Sequence, residues 1–310
     1  MINLLLTGAN QGLMWAILAL GVYISFRLLN FADLTCEGSI TFGASISALM
    51  IWWGVDPFLS LLIAFLGGCL AGLVTGLLST KLKIPPILAG ILTMTSLYSI
   101  NLHVMSAATG AKGTANLSLL GFDTIFKKLG SLLGLPSKPF PALIFGIVTS
   151  LFIICALYWF FGTELGCAIR ATGSNENMCR AQGIDTDLTK ICGLAISNGL
   201  IALAGGVICQ YQGFSDVKMG IGSIVIGLAS IIIGETIFMR AKNFFLKMLG
   251  IIVGAVIYQV IIAFIFKTDI DTNNLKLMSA LIITVALSLP VIKNALLKPR
   301  RKSGSEKGGN

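Results

Sequence analysis

The sequence predicts an all-α membrane protein with about nine transmembrane helices, between eight and ten. Composition is the first reason, since 55% of the 310 residues are hydrophobic, 11% are charged and the mean hydropathy is +0.91, well above the balance of soluble domains. The second reason is a series of apolar runs that reach the roughly 20 residues a bilayer-crossing helix needs. Four runs are uncharged and five are less regular: 1–26, 57–80, 140–162 and 191–215, then 34–53, 84–107, 219–239, 248–266 and 277–292.

The two ends of the chain differ in charge, which predicts their orientation. The N-terminal stretch MINLLLTGANQG has no lysine or arginine, so it lacks the basic region of a cleavable signal peptide, and we expect the first apolar run to be a permanent span. Six of the 22 basic residues lie in 293–310, which the positive-inside rule places in the cytoplasm. We therefore expect one transmembrane domain, 1–292, and a basic cytoplasmic tail, 293–310, in a multi-pass protein of the cell membrane.

Two stretches resemble each other and predict an internal repeat with halves 4–103 and 191–292. They read FADLTCEGSITFG and FSDVKMGIGSIVIG. The copies begin five spans apart, and an odd offset inverts one copy across the membrane, as in many transporters. Gly-Ser-Ile-rich membrane helices also resemble one another by composition alone, which is the alternative. With a one-residue gap, the matching pairs are Phe31 and Phe214, Asp33 and Asp216, Gly38 and Gly222, Ser39 and Ser223, Ile40 and Ile224, and Gly43 and Gly227.

The acids of this repeat region have two interpretations. Asp33 and Asp216 each precede an apolar helix, where we expect a structural role as caps at turns. Gly38 and Gly222 are the matching glycines of the two copies and share this structural assignment. Glu37 lies inside a predicted span, and a carboxylate in hydrocarbon is costly, so it marks a pathway, a buried pair or an end that reaches water.

Other polar side chains inside the apolar runs are candidates for lining a translocation pathway. Hydroxyls and amides can line a wet cavity without the cost of a charge, although Ser and Thr in membrane helices also bond to their own backbone. Asn101 and Asn198 rank first, because an amide both donates and accepts and apolar neighbours satisfy neither group. The predicted pathway set is Glu37, Thr95, Ser96, Tyr98, Asn101 and Asn198.

The most polar interruption of the chain is 162–190, which contains ELGCAIRATGSNENMCRAQGID. Gly173 and Gly183 are predicted helix stops, and Ser174 or Asn175 is the predicted N-cap of a short second helix. The charge distribution places this segment in the cytoplasm. We interpret it as a rigid amphipathic knob that fits a groove on a partner protein; an ordinary solvated loop is the alternative.

This segment also resembles a known motif, G-x-x-x-R-A-x-G-x-N followed by A-x-G-I. The motif is typical of permease subunits of ATP-binding cassette importers of the branched-chain amino-acid and ribose class. The resemblance continues through RLLNFADLTCEGS, KLKIPPILAGILTMTSLYSIN and DTNNLKLMSALIIT, which are similar to permeases that work with tryptophan- or tyrosine-type binding lipoproteins. The residues that it assigns to ATPase coupling are Gly166, Arg170, Ala171, Gly173, Asn175, Arg180, Ala181, Gly183 and Ile184.

The resemblance implies the partners of the chain. It implies a helical permease that pairs with a second permease subunit, expected to be a copy of itself, two cytoplasmic ATP-binding subunits, and an external lipoprotein that delivers a small solute such as an aromatic or other amino acid. The chain contains no G-x-x-x-x-G-K-[ST] phosphate loop, so energy from ATP must come from a separate polypeptide. We therefore expect a transport subunit rather than an enzyme.

Two other function classes fit the sequence less well. A membrane-embedded enzyme needs clustered acids or histidines, whereas the chain has one histidine and thirteen scattered acids. Its seven cysteines form no CxxC motif, so neither a metal site nor a cofactor is expected. An ion-coupled secondary transporter would use the same inverted repeat and a membrane-buried carboxylate, for which Glu37 is the candidate.

Two further patterns concern the loop 109–139 and the glycines of the third apolar run, 57–80. The loop 109–139 mixes polar and apolar residues and predicts a short surface helix. Gly68, Gly72 and Gly76 form a small-xxx-small ridge that lets another helix approach closely.

Overall fold

The computed structural model describes residues 1–266 except 133, 135–138 and 240–242. Beyond 266 it describes only positions 277, 280, 281, 284 and 288. The predicted ninth span and the basic tail therefore lie outside the described residues, apart from those single positions.

The described residues form α-helices and two very short strands. The first part of the chain contains α1 (Ile2–Val22), continued by a π-helical turn (Tyr23–Leu28), then α2 (Cys36–Trp52), α3 (Pro57–Thr80), α4 (Pro86–Thr109), β1 (Asn116–Ser118) and α5 (Ile125–Leu132). The second part contains α6 (Pro139–Phe160), α7 (Glu164–Ser174), α8 (Glu176–Ala181), α9 (Thr186–Gln212), β2 (Phe214–Asp216), α10 (Ser223–Ile237) and α11 (Phe244–Phe266).

Six of the described helices are long and apolar enough to cross a bilayer: α1 with its π-helical turn, α3, α4, α6, α9 and α11. Two further predicted spans form shorter helices, since α2 has 17 residues and α10 has 15. At 1.5 Å per residue they measure about 25 and 22 Å, less than the roughly 30 Å of hydrocarbon in a bilayer. The predicted count of nine transmembrane helices is therefore not confirmed.

Proline and short polar side chains fix the helix starts. Pro57 begins α3, and the Asp56 side chain accepts a hydrogen bond from the Phe58 amide at 2.9 Å. Such a cap satisfies one of the amides that a helix start leaves free. Pro86 likewise begins α4, which ends before Gly110 in the left-handed conformation (φ +70°).

Helix α9 lies at the centre of the packing, against α1, α2 and α3. The predicted glycine ridge on α3 is the surface that meets it. A Cβ atom at Gly68 or Gly72 would overlap the backbone of α9, and one at Gly76 would lie 2.9 Å from the Ile191 Cα. Gly43 of α2 meets the same helix in the same way. Small residues thus let three helix backbones approach one another closely, as in other membrane helix pairs.

The two ends of the bundle are formed by different structural elements. At one end, here called the α8 end, α7 packs on the π-helical turn and Lys81 pairs with Asp187 at 3.6 Å. At the other, the strand end, β1 pairs antiparallel with β2. The short helix predicted in the loop 109–139 is present there as α5, and its Lys128 pairs with Asp56 at 2.5 Å.

Candidate coupling segment and polar junction

Side-chain caps define the two helices of the coupling segment, α7 and α8. Thr163 accepts a hydrogen bond from the Gly166 amide at 3.3 Å and begins α7. Asn175 accepts one from the Met178 amide at 3.1 Å, so the predicted N-cap of α8 is confirmed at Asn175. After α8 the chain turns through Gly183 in the left-handed conformation (φ +80°), which agrees with the predicted stop.

Gly173 does not end α7, contrary to the sequence prediction, because α7 continues to Ser174. A Cβ atom at Gly173 would overlap the carbonyl oxygen of Leu28, and one at Gly166 would overlap that of Phe160. These two motif glycines therefore lie where neighbouring backbones approach closely.

Arg170 points back into the protein. Its guanidinium donates to the Phe161 carbonyl oxygen at 2.8 Å and lies 5.4 Å from the centre of the Phe244 ring. The Phe161 carbonyl follows α6, and Phe244 begins α11. Arg170 thus ties α7 to two transmembrane helices through a hydrogen bond and a cation–π contact.

The opposite surface of the segment is exposed. Met178 is 57% exposed and Leu165 is 47% exposed, both large apolar side chains. Ala171, Ala181 and Arg180 are also exposed, whereas Ile184 is half-buried. The exposed part of α8 is therefore a small apolar surface beside a basic residue.

Ion pairs connect α8 to the helices next to it. Glu176 pairs with Arg180 at 2.8 Å and with Lys190 at 2.7 Å, and Arg180 also lies 3.6 Å from Asp187. Lys190 is the main cause of a lowered pKa at Glu176. Since Asp187 also pairs with Lys81, the cluster joins α8, α9 and the end of α3 beside an open polar cavity of about 450 Å³.

A second polar cluster lies inside the bundle, before and within the first turn of α2. Asn198 of α9 donates to the Asp33 carboxylate at 2.7 Å and accepts from the Ser39 hydroxyl at 2.7 Å. Asp33 also accepts from the Thr35 amide at 2.9 Å. Asp33, Ser39 and Asn198 are fully buried, so Asn198 holds together the turn that precedes α2.

A chain of threonine hydroxyls continues from this cluster. Thr35 contacts Thr75 at 2.8 Å, and Thr75 donates to Thr93 at 3.0 Å, so the chain joins α2, α3 and α4. These hydroxyl contacts were not predicted from the sequence. Thr35 precedes α2, Thr75 lies on α3 and Thr93 on α4, and no spacing in the sequence relates them.

The two copies of the predicted repeat meet at Glu37 and Gly222. The Glu37 carboxylate, in the first turn of α2, accepts a hydrogen bond at 2.9 Å from the Gly222 amide, directly before α10. Gly222 adopts the left-handed conformation (φ +87°). A Cβ atom at Gly220 would overlap the carbonyl oxygen of Glu37 and the Thr41 hydroxyl, so only glycine fits there without displacement. We call this place the polar junction: Glu37, Gly220, Gly222 and Ser223.

The two aspartates assigned to caps hold turns, whereas the N-cap residues of α2 and α10 are Thr35 and Gly222, which form no side-chain cap bond. Asp216 accepts a hydrogen bond from the Lys218 amide at 2.7 Å, just as Asp33 accepts from the amide two residues further on. Gly38 packs against Leu97 of α4, where a Cβ atom would lie 3.0 Å from a leucine methyl.

The predicted pathway residues on α4 divide into two groups. The hydroxyls of Thr95 and Ser96 bond to the carbonyl oxygen of Leu92 in their own helix, and Tyr98 is 48% exposed on the outside of the bundle. Asn101 is buried, and its side-chain oxygen has no partner among the described residues. Of the predicted pathway residues, Glu37 therefore lies on α2 and Asn198 of α9 bonds to Ser39 of α2. Thr95, Ser96 and Tyr98 lie apart from them, on the exposed surface of α4.

One charged pair at the α8 end was not predicted. Arg27 binds Glu235 through two hydrogen bonds, of 2.9 and 2.5 Å. This pair joins the π-helical turn after α1 to the last turn of α10. The available signal was that both charges lie near the ends of predicted spans, which does not identify a partner.

Comparison with known proteins identifies the family of the chain. Residues 4–287 match the family described as "Branched-chain amino acid transport system / permease component". The chain belongs to this family. This permease component is 41% identical to "Tyrosine transport system permease protein" of Clostridioides difficile over 94% of its own length and 93% of the relative's. It is 27% identical to "Ribose import permease protein RbsC" of Haemophilus influenzae, over 88% and 80%.

The predicted family resemblance is confirmed by these matches. A third relative is "Probable branched-chain amino acid transport permease protein LivH" of Methanocaldococcus jannaschii, 29% identical over 62% of this chain and 61% of the relative. This permease component is a multi-pass protein of the cell membrane and a permease subunit of the ABC importer class.

Proposed function

We propose that this permease subunit admits an amino acid into the cell, driven by ATP hydrolysis in separate cytoplasmic subunits. The single observation that carries the substrate class is the similarity to the tyrosine permease over nearly the whole of both chains. Ribose permeases share the family at lower identity, so the choice of an amino acid depends on that closer similarity. An aromatic amino acid is the first one to test.

The ATPase is proposed to bind at the exposed surface of α7 and α8. Met178 and Ala171 would enter a groove of the partner, while Arg170 holds α7 against the membrane helices from behind. The ion pairs of Glu176 and Asp187 connect α8 to α9 and α3. Motion of the ATPase would therefore reach the two helices that pack most closely in the bundle. This assignment makes the α8 end cytoplasmic.

The halves 4–103 and 191–292 are proposed to be inverted copies that rock against each other. The first helix of each half packs on the third helix of the other half: α1 lies against α11, and α9 lies against α3. The second helices, α2 and α10, are the two short ones, and each follows a turn whose aspartate binds the amide two residues on. Broken helices in corresponding positions support a transport site between repeats.

An external binding lipoprotein is proposed to dock at the strand end. Helix α5 and the strand β1 provide a surface there, and β1 pairs directly with β2. From β2 the chain runs to Gly220 and Gly222 at the polar junction. Docking of a lipoprotein could thus act on the start of α10 through a few residues of backbone.

A second copy of the chain is proposed to cover the exposed surface of α4. Thr95, Ser96 and Tyr98 would then lie between two copies and line a shared pathway, to which Glu37 and Asn101 would contribute from within each copy. In this proposal Asn198 has a structural part, because Asp33 and Ser39 already use its side chain.

An ion-coupled secondary transporter is the second candidate, and Asp33 is the observation that favours it. This carboxylate is fully buried, and no lysine or arginine in the described part of the chain forms an ion pair with it. A buried carboxylate of this kind is a common coupling site. Uptake by the permease alone under a proton or sodium gradient would select this candidate.

Co-purification tests the importer proposal. A tagged permease is isolated from its own cells with its partners, and the small molecule retained by the binding lipoprotein is identified by mass spectrometry. We expect an ATP-binding subunit in the complex and an amino acid in the lipoprotein. A sugar in the lipoprotein would refute the amino-acid assignment, and absence of any ATPase would refute the coupling.

A further inference from the structure

The polar junction has the chemistry to recognise the charged groups of an amino acid. We propose that Glu37 binds the ammonium group of the cargo and that the start of α10, with the Ser223 hydroxyl, binds its carboxylate. The proposal rests on the proposed function for the class of cargo. It adds the residues that recognise the ammonium and carboxylate groups, which every zwitterionic amino acid carries whatever its side chain.

The junction lies well inside the bundle. Asn198 is 12 positions after Thr186 in the 27-residue helix α9, which places it about 18 Å from that end of the helix. Ser39 bonds to Asn198, and Glu37 is two residues before Ser39. Both short helices therefore begin in the interior of the bundle, and transporters place substrate sites at such interrupted helices.

The start of α10 can bind an anion, and it contains a hydrogen-bond donor that has no partner among the described residues. The helix dipole gives this end a partial positive charge. The amides of Ser223 and Val225 already donate to the carbonyl oxygens of Gly220 and Gly222, and the Gly222 amide donates to Glu37. Ser223 is the first residue of α10 and is 0% exposed, yet its hydroxyl has no hydrogen-bond partner among the described residues. A cargo carboxylate would accept from this hydroxyl and remove the cost of leaving it unpaired.

The Glu37 carboxylate already lies at the start of α10, and it has no basic partner among the described residues. Its carboxylate accepts from the Gly222 amide, and no basic side chain in the described ranges forms an ion pair with it. Isolated charges are costly inside a membrane protein. A zwitterion supplies one charge of each sign, so its ammonium group would neutralise Glu37 while its carboxylate replaces Glu37 at the helix start.

The residues around the polar junction leave it open to a small molecule and provide one more hydrogen-bond acceptor, the side-chain oxygen of Asn101. Glu37 and Gly222 are only half-buried, and the neighbouring Ile221 is 52% exposed. On α4, Leu97 packs against Gly38, and Asn101 lies one turn further along the same buried face. The Asn101 side-chain oxygen is one of the unpartnered buried atoms of the described residues.

Two substitutions with a matched control test the proposal. The full importer, with its ATPase and lipoprotein, is reconstituted in vesicles and given ATP and a mixture of the twenty ¹⁴C-labelled L-amino acids. Glu37→Gln keeps the size of the side chain and an oxygen that can accept from the Gly222 amide, but it removes the charge. Ser223→Ala removes the unpaired hydroxyl. Ser230→Ala is the control, because Ser230 is also fully buried on α10 but its hydroxyl bonds to the Ile226 carbonyl oxygen.

We expect Glu37→Gln to lower the initial rate of uptake by about tenfold or more, and Ser223→Ala to lower it by about three- to tenfold, as for loss of a charge-assisted contact. Ser230→Ala should stay within about twofold of the wild type. Assembly with the ATPase should be unchanged in all three variants.

The outcomes separate this proposal from the proposed function. A wild-type importer that accumulates none of the twenty amino acids contradicts the proposed function and the zwitterion site with it. Normal wild-type uptake combined with normal uptake by Glu37→Gln and Ser223→Ala overturns the zwitterion site alone. Loss of assembly in Glu37→Gln also overturns it, because the carboxylate would then serve the fold.

Discussion

The Glu37 carboxylate accepts a hydrogen bond at 2.9 Å from the Gly222 amide, 185 residues further along the chain. This bond joins the starts of the two short helices, α2 and α10. Each helix follows a turn held by an aspartate, Asp33 in one case and Asp216 in the other. If the two halves rock against each other as proposed, the motion would strain this bond, so we expect the junction to respond to the transport cycle.

Met178→Glu tests the exposed surface of α8. Met178 is 57% exposed, so the change should alter thermal unfolding little, within about 0.5 kcal/mol. In the proposed complex the same side chain is buried against the ATPase, where an unpaired charge is costly. We expect strong loss of ATPase in pull-down from membranes, with Met178→Leu as the control that retains binding. Full ATPase binding by Met178→Glu would remove α8 as the contact.

Arg170→Ala tests the support behind the same helix. The substitution removes the hydrogen bond to Phe161 and the contact with the Phe244 ring, which together are worth about 1–2 kcal/mol. We therefore expect a lower unfolding temperature of the permease alone, together with weaker ATPase binding. Arg170→Lys should lie between the two, because lysine keeps the charge but not the planar fork. An unchanged unfolding temperature in Arg170→Ala would mean that Arg170 acts directly on the partner.

Gly72→Ala tests the close approach of α3 and α9. The added methyl group would overlap the Leu194 carbonyl oxygen, which is backbone and cannot move away alone. We expect destabilisation of about 1–3 kcal/mol, measured as a lower unfolding temperature in detergent. Gly227→Ala is the matched control, since its methyl group would meet side-chain atoms of Leu18 and Val22 at 3.0 Å, which can adjust. Equal effects of the two substitutions would contradict the packing described for α9.

Asp33 and Asn198 should behave as one unit in a double-mutant cycle. Asn198→Ala leaves the buried Asp33 carboxylate with the Thr35 amide and without its amide partner on α9, at a cost of about 2–4 kcal/mol. Asp33→Asn in the same background should restore part of that loss, because a neutral amide is less costly to bury. The cycle is read from unfolding temperatures of the four proteins. Strictly additive shifts would show that the two side chains are not coupled.

Much of the fold follows from hydropathy and local signals. Apolar runs located the helices, and Asn175 was predicted as an N-cap because a short polar side chain precedes a helix-forming stretch. The lengths of α2 and α10 were overestimated. Residues 219–222 are apolar or glycine and belong to the predicted run, but the left-handed conformation of Gly222 keeps them outside α10. Hydropathy averages composition and does not register such a backbone turn.

The candidate sites were predictable residue by residue but not as contacts. The motif drew attention to Arg170, yet only the fold reveals that its guanidinium faces Phe161 and Phe244. Glu37 was recognised because a carboxylate stands out in an apolar run. Its partner is a backbone amide, and every residue type except proline carries one, so no sequence pattern could have identified Gly222.

The central claim is that this permease is a passive gate driven by an ATPase that it does not contain. Uptake of ¹⁴C-labelled amino acids into vesicles tests it most directly. One set of vesicles contains the permease alone, and the other also contains the ATPase and the binding lipoprotein. Each set is measured with ATP, without ATP, and under an imposed proton or sodium gradient. We expect accumulation only in the complete system with ATP. Accumulation by the permease alone under an ion gradient would contradict the claim.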